Sequence, residues 1–315
     1  MQDEGKKLMS VRSSERVAWS GVILYILLTF GISWGFWLSL RAVGVPFTIR
    51  AAVGMFGPAL GAVLVRLVRR EGFADAALRL VPKDRLGAGR MYLAAYITVP
   101  LLIFAGAGIA LLTTYQHWDL VAFMQNQARA IASAAATRDK SLPLGLSAQQ
   151  AAHISIVAGV ALAFTLAIPF NMIFTFGEEF GWRGYLLPRL SPLGGVTAAV
   201  TTGVTWGLWH APLILLDGYN YPGHPVSGVG MMVVFTTALG VIFAWLRFRS
   251  GSVWPSTLAH AALNAQAGLG FVFLSPGDPL IRPPVGILGL IPMIALALWL
   301  AATKRVTPDA SRPAK

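Results

Sequence analysis

Residues 168–183 read IPFNMIFTFGEEFGWR, an apolar run that closes on two adjacent glutamates, Glu178 and Glu179, with Arg183 one helical turn further on. A run this apolar reads as part of a membrane span, and ionisable groups at its end then need a reason to be there. The rest of the chain agrees with the first half of that reading. Of 315 residues, 56% are hydrophobic and only 12% charged, against roughly 25% charged in a soluble domain.

Working outward in windows of about 19 residues, eight apolar stretches emerge. They are Ser20–Leu40, Ala52–Val68, Met91–Thr114, Ile154–Phe176, Gly195–Leu216, Val229–Leu246, Ser252–Phe273 and Val285–Ala302. Each reaches or approaches the ~20 residues that cross ~30 Å of hydrocarbon. Ala52–Val68 is the weakest, because Pro58 interrupts it, and it reads as a tilted span or a re-entrant segment. The first stretch is too long for a cleaved signal, and no small-x-small site follows it. The expectation is an all-α polytopic protein of eight transmembrane helices, a single membrane domain over 20–303. Short tails, 1–19 and 304–315, flank it on the cytoplasmic side. No repeat of transporter type is visible. In the long loop Tyr115–His153, the residues Trp118, Val121, Phe123 and Met124 suit a short helix at the interface.

The basic residues orient this arrangement. With both termini cytoplasmic, 19 of the 25 Lys and Arg fall inside; Arg41, Arg50, Arg129, Arg138, Lys140 and Arg282 fall outside. That asymmetry obeys the positive-inside rule. The net charge of +12 is therefore a topology signal with affinity for the lipid bilayer, and no nucleic-acid partner is expected. The absence of Cys removes thiolate nucleophiles and Cys-ligated metals from consideration.

Of the 13 acidic residues, all but Glu178 and Glu179 lie in loops and tails, and of five His only His210 and His260 lie inside apolar spans. Helical spacing sorts them. Glu179 and Arg183 are i,i+4 and can pair, a structural role, while Glu178 is turned by about 100° and is left for chemistry. His260 and Asn264 are also i,i+4. The pairs Gly177/Gly181 and Gly203/Gly207 have the spacing that admits a neighbouring backbone. For Glu178, His210 and His260 to share one depth, the fourth helix must run on to about Leu190, with Pro169 as its kink.

A carboxylate and an imidazole converging at low dielectric suit hydrolysis. Glu178 takes a proton from a water held with His210, and His260 and Asn264 receive the developing oxyanion. The same Glu178, His210 and His260 could supply three ligands to a divalent metal such as zinc; the expectation adopted is no cofactor. There is no His-Glu-x-x-His and no Asp within a span, so zinc-protease and aspartyl-dyad chemistry fit less well.

The three segments Glu178-Glu179…Arg183, Trp206…His210 and His260…Asn264 resemble the motifs of the CAAX protease and bacteriocin-processing family of intramembrane proteases. These are Glu-Glu-x-x-x-Arg, Phe-x-x-x-His and His-x-x-x-Asn/Asp, in that order on an eight-helix domain. The similar core runs from about 154 to 273. The resemblance implies an intramembrane endopeptidase in which Glu178 and His210 activate water and His260 and Asn264 form the oxyanion site. One departure is Trp206, where the motif has phenylalanine; it is expected to pack in the same way. The implied substrate is a peptide or membrane protein, prenylated or not, and the expected location is a bacterial inner membrane. The competing reading is a non-enzymatic protein, a transporter or a bacteriocin-immunity or binding factor, that uses the buried Glu/His cluster to relay protons or hold a ligand.

Overall fold

The computed structural model describes residues 16–82, 87–137, 142, 145–270 and 272–308. Part of the orientation count rests on Lys6, Lys7, Arg12, Lys83, Arg85, Arg138, Lys140, Arg312 and Lys315, which lie outside the described residues. Among the described residues helix is the regular structure, apart from one isolated bridge that pairs Trp118 with Leu274. The helices are α1 (Trp19–Ala42), α2 (Phe47–Gly54), α3 (Gly57–Arg69), α4 (Ala88–Leu112), α5 (Leu120–Thr137), α6 (Ala148–Phe164) and α7 (Ala167–Gly181). There follow α8 (Leu187–Leu190), α9 (Gly195–Trp209), α10 (Ala211–Asp217), α11 (Pro225–Ser250), α12 (Trp254–Gln266) and α13 (Ile287–Ala302).

Five segments are long and apolar enough to cross a membrane: Trp19–Ala42, Phe47–Arg69, Ala88–Leu112, Gly195–Asp217 and Pro225–Ser250. A sixth arises if Ala148–Phe164 and Ala167–Leu193, bent by 51° at their junction, count as one. Helices also occupy the last two expected spans, but α12 has 13 residues and α13 has 16. At 1.5 Å per residue they reach about 20 and 24 Å, short of a full crossing. The protein is thus all-helical among the described residues, with five to six spans by length and composition.

Local chemistry explains the breaks. The segment around Pro58 divides at Met55 and Phe56 into α2 and α3, with the proline in the first turn of α3, where no amide is needed. The bend between α6 and α7 sits at Thr165, four residues before Pro169, whose ring and missing N–H disrupt the turn at that carbonyl. Beyond the bend the fourth helix does run long: α7 passes through a π-helical turn, Trp182–Leu186, directly into α8. Pro212 likewise breaks the helix after Trp209 and leaves His210 at the joint between α9 and α10. A helix does form in the loop after Tyr115, the 18-residue α5, which packs on α6.

Glycines set the helix–helix distances. A Cβ on Gly203 would lie 2.6 Å from the Thr237 Cα, and one on Gly207 2.5 Å from the Val233 Cα, so α9 and α11 meet backbone to backbone. On the other side a Cβ on Gly177 would meet the Met55 carbonyl at 2.7 Å, and one on Gly181 would meet Pro58 at 2.5 Å. A third pair, Gly57 and Gly61, faces Ser33 and Thr29 of α1. Helix α12 fills the space between α7 and α4. Leu27, Leu101, Phe170 and Leu298 are exposed around the outside, as lipid-facing positions require, whereas the core between α7, α9, α11 and α12 is closed over by Trp206, Leu239, Phe243 and Leu263.

Candidate active site

Two charged layers bracket the core. At one end, Arg66 of α3 donates to the Gly72 carbonyl and Asp75, both at 2.6 Å, and to the Gly184 carbonyl at 2.8 Å. Arg189 of α8 reaches Glu71 at 2.8 Å and also bonds Asp75, while Arg69 bonds Glu71 at 2.7 Å. Burial alone would raise the Asp75 carboxyl, but the hydrogen bond from Arg66 and the charge of Arg189 outweigh it and hold the group below its ordinary value. Glu71 behaves alike: burial raises it, and the bonds from Arg189 and Arg69 bring it down. At the opposite end, Arg50 clamps Asp217 with two hydrogen bonds, 2.9 and 2.7 Å, and Arg41 adds a third at 3.2 Å.

Between these layers lie Glu178 and Glu179, both buried, facing different neighbours as their 100° offset requires. Glu179 Oε1 accepts from Arg183 Nη1 at 2.9 Å, the expected i,i+4 pair, and also from His260 Nδ1 at 3.0 Å. The Arg183 guanidinium lies over the rings of Trp206 (4.7 Å) and Phe243 (5.0 Å). Glu178 Oε2 accepts from the indole N–H of Trp206 at 2.6 Å and of Trp182 at 3.4 Å. Both bonds fall on one oxygen, so Oε1 is the carboxylate atom left for another partner.

The two imidazoles are oriented by acceptors. His210 Nδ1 lies 2.9 Å from the Trp206 carbonyl, which can only accept, so Nδ1 carries the proton and Nε2 of the neutral ring is an acceptor. His210 also stacks on Tyr219, with ring planes 12° apart. His260 stands edge-on to Trp206, centroids 5.1 Å apart, with Nδ1 turned to Glu179. Five sequence candidates, Glu178, Glu179, Arg183, His210 and His260, therefore gather round Trp206. The sixth, Asn264, is exposed one turn beyond His260.

Among the described residues, no three His, Asp or Glu side chains are arranged to hold a metal ion. Glu178, His210 and His260, the alternative metal set, form no such group. An apolar cleft of about 210 Å³, lined by Phe123, Gln127, Ser155, Val160, Leu269 and Phe273, lies on the α5/α6 side and includes none of the site residues.

Several contacts were not anticipated from the sequence. Trp182 is i+4 from Glu178, so the rule that paired Glu179 with Arg183 would have found it. The stacking of Tyr219 on His210 depends on the turn after α10 and had no local signal. Trp206 was expected only to pack, whereas its indole N–H binds Glu178 across 28 residues of chain.

Residues 151–266 match the family described as Type II CAAX prenyl endopeptidase Rce1-like. The resemblance carried by the three motifs is borne out over that segment. A curated relative, CAAX prenyl protease 2 of Methanococcus maripaludis, is 31% identical over 97 residues, which cover 29% of this chain and 36% of the relative. The match thus spans about a third of that protein's length. The family match over 151–266 includes the part of the fold, from α6 to α12, that carries all six candidate residues.

Proposed function

We propose that the protein is an intramembrane endopeptidase that hydrolyses a peptide bond with a water activated by Glu178 and His210. The observation that supports this best is the disposition of Glu178: Oε2 is held by two indoles, which leaves Oε1 for a water, and His210, held through Nδ1 by the Trp206 carbonyl, keeps Nε2 as an acceptor. Glu178 takes one proton of the water as its oxygen attacks the peptide carbonyl carbon. The carbonyl becomes an oxyanion, received by His260 and Asn264. The same proton then passes to the leaving nitrogen as the C–N bond breaks. With Nδ1 donating to Glu179, His260 can give a hydrogen bond to the oxyanion through Nε2 only as the imidazolium. Glu179 and Arg183 position that ring and do not react.

The reading extends to an eight-helix arrangement with both termini cytoplasmic in a bacterial inner membrane, α12 and α13 being the seventh and eighth spans. The substrate is a peptide or membrane protein. The name of the relative suggests one with a prenylated Cys-aliphatic-aliphatic-X end, and a non-prenylated peptide is the alternative. The reaction is metal-independent. The non-enzymatic reading is not favoured by the family match.

The test uses purified protein in proteoliposomes and quenched fluorescent peptides with and without a prenylated C-terminus. Hydrolysis that persists in chelator and disappears in Glu178→Ala and His260→Ala is the expected result. Full activity in both variants would falsify the mechanism.

A further inference from the structure

Trp206 touches four members of the cluster, Glu178, Arg183, His210 and His260. Its indole N–H donates to Glu178 Oε2 at 2.6 Å, its ring lies under the Arg183 guanidinium at 4.7 Å and against His260 at 5.1 Å, and its main-chain carbonyl accepts from His210 Nδ1 at 2.9 Å. It is buried. A packing residue needs only a ring in this place. The indole N–H adds a short, charge-assisted bond to Glu178, the carboxylate of the adjacent pair to which neither Arg183 nor His260 is hydrogen-bonded, since both bind Glu179. The second indole, Trp182, is farther away at 3.4 Å and is the weaker constraint.

We propose that Trp206 is a positioning residue: its N–H fixes Glu178 by Oε2 so that Oε1 is presented to the water beside His210. The inference deepens the endopeptidase reading and rests on it for its kinetic consequence. The hydrogen bond itself is separable from that reading. The residue acts through Glu178 and touches no reacting atom. Its two tasks are also separable from each other, since substitution of the side chain leaves the carbonyl that orients His210 in place.

Trp206→Phe tests the idea, because it keeps an aromatic face for Arg183 and His260 and removes only the N–H and part of the ring. With the quenched peptide as substrate, kcat should fall about tenfold or more with KM changed by less than about threefold, the pattern of a lost hydrogen bond to a charged group rather than of a remodelled binding site. Ultraviolet resonance Raman supplies a readout free of activity. The wild-type minus Trp206→Phe difference spectrum should show one strongly hydrogen-bonded indole N–H, and that band should shift towards weaker bonding in Glu178→Gln, which leaves Trp206 in place. A wild-type kcat in a folded Trp206→Phe protein would overturn the proposal. So would an indole band that does not respond to Glu178→Gln, and that comparison stands even if Trp206→Phe fails to fold, read then on the whole tryptophan spectrum. If the wild-type protein hydrolyses neither peptide, the endopeptidase reading fails by itself, and the Raman comparison still decides whether Trp206 holds Glu178.

Discussion

Glu178 and Glu179 are adjacent in sequence yet occupy opposite electrostatic situations. Glu179 has two basic partners and Glu178 has two indoles. Neutralising each should therefore do different things. Glu179→Gln strands the Arg183 guanidinium in the core, which costs about 3–5 kcal/mol when a buried pair loses one partner; unfolding in detergent should show a large loss of stability. Glu178→Gln removes a buried charge that has no cation bonded to it, so its unfolding should be close to wild type while hydrolysis is lost. Equal destabilisation by the two variants would contradict the division of roles. The 100° offset between neighbours on a helix made this division legible in the sequence. The second partner of Glu179, His260, was not legible, because that contact spans 81 residues and no local spacing rule reaches across helices.

At the scale of the elements, close approach through glycine decides which helices touch. Gly203→Val should push α9 from α11, since its first added carbon would already lie 2.6 Å from backbone; overpacking of this kind costs about 1–3 kcal/mol. Gly230 lies on α11 with nothing within 4 Å of the added carbon, so Gly230→Ala should be neutral or slightly stabilising in the same unfolding assay. A Gly203→Val protein as stable as wild type would show that the interface can slide. The spacing of these glycines was readable, as was the continuation of the fourth helix towards Leu190. The bend was readable in cause but not in place: Pro169 acts on a carbonyl four residues upstream, so the chain turns at Thr165. Apolar length alone also hid the shortness of α12 and α13, because hydropathy does not register where a helix yields to turns such as those after Gln266.

Across the whole molecule, the ionic layer of Arg66, Arg69, Glu71, Asp75 and Arg189 ties the connection after α3 to the end of the long fourth helix. Asp75 and Glu71 are both held below their ordinary values, so their contribution to stability is complete above the ordinary carboxylate range and is lost as pH falls through it. Stability measured between pH 6 and 3 should drop below about pH 4, and Asp75→Asn should be less stable at pH 6 with a flatter acid limb. An unchanged limb in that variant would remove Asp75 from the account. Arg247 carries this layer inward, donating to the Arg183 carbonyl at 3.2 Å and the Asp75 carbonyl at 3.3 Å.

The two attachments to Trp206 at the centre differ in kind. Glu178 is held by a side chain, which a single codon change can erase, whereas His210 is held by a main-chain oxygen that every amino acid supplies at position 206. Mutational drift at that position can therefore retune the carboxylate without altering which nitrogen of His210 bears its hydrogen. Half of the proposed water site is exposed to selection one residue at a time, and the other half is protected by the helix itself.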